Sequence, residues 1–155
     1  MNKFTLVLFM AAIACNTVQA ADRPRQSGVY ACEYVSKKRG TAGDAEIELK
    51  NGQIQRIHYG NATKGLPGRP GYSCGLDIDR SNQGLKWLDT NGTLTIELED
   101  AARYGGNSMT VSRDARGFML DMREIKSPVC GAGSELPDTV YVPVKGKKCK
   151  IEFGN

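Results

Sequence analysis

The sequence predicts an all-β protein: an antiparallel barrel or sandwich of about eight strands, held together by disulfide bonds. Apolar and polar residues alternate in many short segments, as in strands that bury one face. The 155 residues include 18 glycines, and turn-forming pairs such as Asn-Gly separate these segments. Beyond residue 20, no segment keeps the 3.6-residue period of a long amphipathic helix.

The first 20 residues have the pattern of a cleavable signal peptide. Lys3 precedes the apolar run Phe4–Ala14, and Val18–Ala20 supplies a small-residue cleavage site. We therefore expect cleavage after Ala20. The run is well short of the roughly 20 residues that a membrane-spanning helix needs, so we expect no membrane span.

Residues 21–155 have the size of one β domain. Residues 21–26 are expected to be a flexible leader. Lys3 is the only charged residue in the first 20, so its removal lowers the formal net charge from +4 to +3. This small excess of positive charge does not favour a nucleic-acid-binding protein, which usually carries more, interleaved with aromatic residues. The basic clusters 37–39 and 145–150 are therefore interpreted as solvated hairpin ends.

The clearest early strands lie within 44–50 and 93–99. Their inward positions are Ala45, Ile47 and Leu49 in the first, and Leu94, Ile96 and Leu98 in the second. Asn51-Gly52 and Asn91-Gly92 border these segments and are typical of type I′ hairpin turns. A short helical turn is possible within Glu97 to Tyr104.

Three later strands follow the same alternation. Their inward residues are Phe118, Leu120 and Met122; then Val140, Val142 and Val144; and finally Cys149, Ile151 and Phe153. The last strand therefore directs Cys149 into the core.

Four cysteines remain after residue 20, and in an exported chain they indicate two disulfides. Three pairings are possible. Cys32 lies in the first predicted strand and Cys149 in the last, so a first-to-last bridge is the preferred pairing. Cys74 then pairs with Cys130.

The sequence does not favour an enzyme. His58 is the only histidine, and it lies in the predicted strand Gln53–Tyr59. With the cysteines paired, neither a Cys-His nor a Ser-His-Asp arrangement is expected. Asp77 and Asp79 share a strand face, but no second carboxylate group is expected to face them, so we interpret both as solvated.

No metal site or cofactor is expected. Asp77–Ser81 resembles the opening of a calcium loop, but Asn82 stands where the loop requires glycine. The cysteine spacings are too wide for a zinc motif.

Long loops are the preferred place for a binding function on a rigid sheet. The predicted loops are Gly60–Gly71, Ala101–Asn107 and Gly131–Asp138. The first would present the cations Lys64 and Arg69, and the second Arg103 and Tyr104, residue types that are common at interface hot spots. These four residues are the predicted contacts to a protein partner.

Tyr30-Ala31-Cys32 near the start and Cys149 near the end resemble the bridged Tyr-x-Cys element of the periplasmic and membrane-bound lysozyme inhibitors of Gram-negative bacteria. Ser27-Gly28-Val29-Tyr30 is similar to a Ser-Gly-x-Tyr inhibitory motif found in some of them. The resemblance implies a small exported β-barrel or sandwich that inserts loops into the lysozyme cleft, with Ser27 and Tyr30 among the contacts. Because animal lysozymes are basic, a mature charge of +3 makes an acidic hydrolase the better electrostatic match.

The resulting hypothesis is a periplasmic protein that binds and inhibits a peptidoglycan hydrolase. One alternative is an immunity protein against a periplasmic toxin. Another is a barrel that carries a small apolar ligand in a cavity lined by Trp87, Tyr30, Tyr34 and Tyr72. Exposed sheet edges would also allow a homodimer, and Cys15 could carry a lipid anchor.

Overall fold

The computed structural model describes residues 26–65, 71–131 and 134–154. These residues form ten strands and no helix: β1 (Gly28–Ser36), β2 (Thr41–Lys50), β3 (Gln53–Thr63), β4 (Ser73–Asp79), β5 (Lys86–Thr90), β6 (Thr93–Glu97), β7 (Ser108–Arg113), β8 (Gly117–Asp121), β9 (Thr139–Pro143) and β10 (Lys150–Glu152). The all-β prediction is confirmed, with ten strands where about eight were expected. The predicted signal peptide lies outside the described residues.

Two antiparallel sheets build the molecule. The four-stranded sheet has the order β1-β2-β3-β4, and the six-stranded sheet has the order β10-β9-β8-β7-β6-β5. Consecutive strands are neighbours throughout each sheet, because every strand folds back beside the one before it. The sheets do not close on themselves, so the fold is a sandwich rather than a barrel.

The core lies between the inner faces of the two sheets. Every inward residue predicted from the alternation of 44–50 and 93–99 is buried, as are Phe118, Leu120 and Met122. The rings of Tyr30, on the four-stranded sheet, and Phe118, on the six-stranded sheet, lie 5.2 Å apart between centroids. Removal of this apolar surface from water is the main force that holds the sheets together.

The two predicted Asn-Gly turns are confirmed. Asn51 and Gly52 have φ angles of 53° and 79°, and Asn91 and Gly92 have 53° and 80°. Two consecutive positive φ angles define the type I′ turn, whose twist matches that of the paired strands. The helical turn considered within 97–104 is present as a single turn: Asp100 O accepts from the Arg103 N–H (2.9 Å) and the Tyr104 N–H (3.2 Å), and the turn does not continue into a helix.

Both predicted disulfides are present, Cys32 with Cys149 and Cys74 with Cys130. Beside the first, the Glu33 N–H donates to Lys147 O (2.8 Å) and the Cys149 N–H donates to Glu33 O (3.0 Å). Beside the second, the Gly75 N–H donates to Val129 O (3.1 Å) and the Gly131 N–H to Ser73 O (3.0 Å). The first bridge thus holds a short segment against part of the β1 edge of the four-stranded sheet. The second holds one against part of the β4 edge.

Within the described ranges, no helix has the length and apolar character needed to span a membrane.

Candidate functional site

The β3–β4 loop begins later than predicted. β3 continues to Thr63, whose N–H donates to Tyr72 O at 2.8 Å, while the Tyr72 N–H donates to Thr63 Oγ1 at 2.9 Å. Lys64 follows directly, with an exposed side chain and its N–H bonded to Gly40 O at 3.0 Å. Arg69 lies outside the described residues. Lys64 is therefore held at the end of β3, next to the turn between β1 and β2.

Arg103 and Tyr104 lie in a separate loop between β6 and β7. The Arg103 guanidinium sits 5.7 Å from the centroid of the Tyr104 ring. Asn107, which is 1% exposed, anchors this loop: its Nδ2 donates to Glu99 O (2.9 Å) and its Oδ1 accepts from the Lys126 N–H (2.9 Å). No hydrogen bond among the described residues joins this loop to Lys64.

Ser27 and Tyr30 do not form one exposed motif. Ser27 is exposed, and its Oγ accepts a hydrogen bond from the Asn51 N–H at 3.0 Å. Tyr30 is only 8% exposed, because alternation along β1 turns its ring inward onto Phe118. Its ring is part of the core, so it offers little surface to a partner.

The strand register brings together a different set of residues, on the outer face of the four-stranded sheet. Residues directly opposite each other share a face, and the pairs Glu48↔Arg56↔Asp79, Glu46↔His58↔Asp77 and Glu33↔Asp44 form three neighbouring rows. We call this surface the acidic face. The charged residues of these three rows are six carboxylates, one arginine and one histidine: Glu33, Asp44, Glu46, Glu48, Asp77, Asp79, Arg56 and His58. Cations border the rows at two edges: Lys50 at the end of β2, and Lys147 and Lys148 beside Glu33.

The two basic residues lie in the middle of the acidic face. Arg56 makes a two-pronged hydrogen bond with Asp77, Nε to Oδ1 at 2.9 Å and Nη2 to Oδ2 at 2.8 Å. His58 lies between two carboxylates, with Nε2 3.5 Å from Asp44 Oδ2 and Nδ1 3.8 Å from Asp77 Oδ2. Asp77 was expected to be solvated, and its side chain is 54% exposed, but it also binds Arg56.

Local hydrogen-bond donors favour the charged form of Asp77 and Asp79. The hydrogen bonds from Arg56 hold the pKa of Asp77 below its usual value. The pKa of Asp79 is also lowered, chiefly by the Ser81 hydroxyl and then by the Ser81 N–H, both bonded to Asp79 Oδ1. Neighbouring negative charges would raise these pKa values, so the local donors outweigh the repulsion.

Two glycines leave a shallow depression beside His58. Gly60 and Gly75 are directly paired across β3 and β4. A Cβ on Gly75 would meet no atom within 4 Å, whereas one on Gly60 would lie 3.4 Å from Asp44 Oδ1 and 3.5 Å from His58 Nε2. We call this depression the glycine notch. It gives an approaching side chain access to the Asp44 carboxylate.

Exposed valines border the acidic face on β1. Val29 is 59% exposed and Val35 is 74% exposed. Val29 pairs with Glu48 and Val35 with Ala42, so both side chains point to the same side as the carboxylates. Apolar groups next to charged ones are common at protein interfaces.

His58 faces two carboxylates and a glycine, and no serine or cysteine lies at hydrogen-bond distance from it among the described contacts. Within the described part of the chain, no group of three His, Cys, Asp or Glu side chains is placed to hold a metal ion. The aromatic residues proposed for a carrier are dispersed: Tyr30 and Tyr34 are in the core, while Tyr72 is 45% exposed.

Comparison with known proteins returned no match, neither to a family model, nor to a curated protein, nor to a solved structure.

The acidic face was only partly visible in the sequence. The alternation of Asp44, Glu46 and Glu48 places them on one side of a strand. Their position next to Asp77 and Asp79 depends on β3 lying between β2 and β4, which no local pattern specifies.

Proposed function

We propose that the protein is an exported inhibitor that binds a basic peptidoglycan hydrolase of the lysozyme type through the acidic face. The observation that carries the proposal is the concentration of six carboxylates on one sheet face of a chain whose net charge is +4. The proposal reverses the choice of an acidic hydrolase that the total charge suggested, because a partner responds to the local field of the surface it approaches.

Screening by salt limits the field at a surface to nearby charges, so the local field decides which partner is attracted. At physiological ionic strength the Debye length is about 8 Å. The two layers of a sandwich are about 10 Å apart, so positive charges on the outer side of the far sheet contribute little at the acidic face. Lys147 and Lys148 are closer, but they lie at its Glu33 edge. A basic partner is therefore steered toward the four-stranded sheet despite the positive total charge.

The glycine notch supplies a docking position for a cationic side chain of the partner. Asp77 already binds Arg56 with both oxygens. Asp44 has one ion-pair partner among the described residues, His58 at 3.5 Å, and so retains capacity for another cation. An arginine of the partner lying over Gly75 can bind the Asp44 carboxylate with two hydrogen bonds.

The predicted loop contacts extend this surface. Lys64 leaves β3 at the end of the four-stranded sheet, two residues beyond Ala62, which faces outward in the row next to Gly60. With the acidic face against the rim of an active-site cleft, Lys64 is the nearby cation that can reach catalytic carboxylates. Arg103 and Tyr104 belong to a separately anchored loop, and their contact with the same partner is a weaker part of the proposal.

The two disulfides support a compartment outside the cytoplasm, because such bonds persist in oxidising surroundings. The signal-peptide pattern of residues 1–20 makes the periplasm the proposed location.

The test is clearing of a cell-wall suspension by a basic lysozyme and by an acidic peptidoglycan hydrolase, with the oxidised protein at low and physiological salt. We expect stoichiometric inhibition of the basic enzyme that weakens as salt increases. Asp44→Asn and Gly75→Trp should each weaken inhibition about tenfold or more, a loss typical of buried charged contacts. Asp89→Asn is the matched control, since Asp89 is exposed on β5 in the other sheet.

Inhibition that persists in both acidic-face variants would show that the partner binds elsewhere. Failure to inhibit any enzyme of the panel would reject the inhibitor hypothesis and leave the immunity-protein alternative to be tested by capture of a basic toxin domain.

A further inference from the structure

A groove of about 600 Å³ crosses the outer face of the six-stranded sheet. One end of its rim, at Lys148, adjoins Glu33 at the edge of the acidic face. Its floor includes Met119, Tyr141 and Pro143, which belong to the adjacent strands β8 and β9. Met119 and Tyr141 are directly paired, and Lys150 continues the same row onto β10. The volume is in the range of small-ligand sites.

The rim of the groove is cationic, although it also contains acceptors. Four basic side chains line it: Arg116, Lys145, Lys148 and Lys150. Asp114 and Glu152 are the acidic residues of the lining. Lys148 and Lys150 take part in no ion pair with a described residue, so their charges remain available to a ligand.

The Tyr141 ring is held in a defined position. Its hydroxyl donates to Asp114 Oδ1 at 3.1 Å, and Asp114 also accepts from the N–H groups of Arg116 and Gly117. The hydroxyl of Tyr141 is thus tied at the β7–β8 turn, while one side of its ring faces the groove. A preorganised aromatic surface lowers the ordering cost of binding a flat, partly apolar ligand.

The composition of the groove restricts the ligand. The backbone of β8 and β9 is already paired within the sheet, so a molecule lying over these two strands is recognised by their side chains. Lysines require an anionic group, Glu152 requires donors such as hydroxyls, and Tyr141 requires a surface that can pack on a ring. A sugar that carries a carboxylate satisfies all three requirements. An acidic peptide does not, because it lacks a ring that carries several hydroxyl donors.

We propose that this groove binds an acidic saccharide of the hexuronic acid type. The sugar ring lies on Tyr141, its carboxylate is held by Lys148 and Lys150, and its hydroxyls donate toward Glu152. None of the groove residues belongs to the acidic face, although Lys148 lies beside Glu33 where the two surfaces adjoin. The protein would then be able to associate with an acidic polysaccharide while its other face remains open.

Calorimetric titration with tetragalacturonate, an α-1,4-linked tetramer of galacturonic acid, tests the site. We expect binding that weakens with salt and is absent for the neutral tetramer maltotetraose. Lys148→Gln/Lys150→Gln should lower the affinity about tenfold or more. Lys37→Gln/Lys38→Gln removes the same charge from an exposed turn outside the groove and should leave the affinity unchanged.

Tyr141→Leu separates a saccharide site from a general anion site. Tetra-aspartate serves as an acidic peptide probe, and we expect it to bind only weakly. Tyr141→Leu should weaken the binding of tetragalacturonate and have little effect on the binding of tetra-aspartate. The inference is overturned if wild-type protein binds tetra-aspartate as tightly as tetragalacturonate, if both double variants lose affinity equally, or if tetragalacturonate does not bind. Circular dichroism of each variant confirms that the sandwich is intact, so a lost signal reports on the groove.

Discussion

The hydroxyl oxygens of Tyr34 and Tyr59 lie 2.6 Å apart in the core of the four-stranded sheet. Asn61 Nδ2 donates to Tyr59 Oη at 2.8 Å, and either tyrosine hydroxyl can donate to the other. The same amide group also reaches Glu135 O (3.0 Å), and Asn61 Oδ1 accepts from the Cys74 N–H (3.2 Å). One buried polar network therefore joins β1, β3, β4 and the segment before β9.

Tyr34→Phe should destabilise the fold by about 1–3 kcal/mol, because it leaves the buried Tyr59 hydroxyl without its hydrogen-bond partner on β1. Urea unfolding followed by circular dichroism measures this change. Tyr72→Phe is the control, since Tyr72 is 45% exposed and its hydroxyl can bond to water. Equal stability of the two variants would show that the Tyr34–Tyr59 hydrogen bond contributes nothing measurable.

Stability should decline above about pH 10, the ordinary pKa of tyrosine. Burial, followed by the hydrogen bond to Tyr34, raises the pKa of Tyr59 far above that value in the folded state. A raised folded pKa means that the native state binds the proton more tightly, so stability is fully present below pH 10 and is lost as pH rises further. Urea midpoints across this range, together with tyrosinate absorbance, test the expectation; a constant midpoint would contradict it.

The loss of stability at acid pH should depend on Asp77. Its pKa is lowered in the folded protein, so its contribution is present above the ordinary aspartate pKa of about 3.9 and is lost as pH falls below it. Arg56→Gln removes the main cause, and the NMR titration of the Asp77 carboxyl should then shift upward. Asp114 is the internal control, because its pKa is lowered chiefly by the Arg116 N–H. An unchanged Asp77 titration in the variant would refute the assignment.

Gly43→Ala should destabilise the protein by about 1–3 kcal/mol through overpacking. A Cβ at this position would collide with Gly60 O and would lie 2.8 Å from Tyr34 Cε1 and 2.9 Å from Asn61 Cβ. Gly75→Ala is the matched control, because its Cβ would meet nothing within 4 Å. Thermal unfolding of the pair should separate them clearly, and similar midpoints would mean that β2 and β3 can shift apart at little cost.

Replacing Cys74 and Cys130 together by serine should cost about 4 kcal/mol, from the entropy of a chain no longer closed over 56 residues. It should also loosen the 129–131 segment that covers part of the β4 edge. An uncovered edge favours strand pairing between molecules, so association should increase with protein concentration. Denaturant unfolding measures the loss of stability, and sedimentation velocity measures association. A monomer at every concentration would show that the disulfide is not needed to protect the β4 edge.

Local sequence patterns were sufficient to predict the buried faces of several strands and two of the turns between them. Alternation identified the buried side of β2, β6 and β8, since side chains of a strand point to opposite faces in turn. Asn51-Gly52 and Asn91-Gly92 were predictable because few residues other than asparagine and glycine accept a positive φ. The cysteine pairing followed from placing Cys32 and Cys149 in the first and last strands.

The sequence by itself determined the inward residues of β2, β6 and β8, the two Asn-Gly turns and the preferred cysteine pairing, because each depends on residues a few positions apart or on strand order. Only the tertiary structure decided which outward residues become neighbours. Tyr30 joined the core through its contact with Phe118 on the other sheet, and His58 came to lie between Asp44 and Asp77. Such relationships depend on the register of strands and the packing of sheets, and a shift of one residue would move every side chain to the other face.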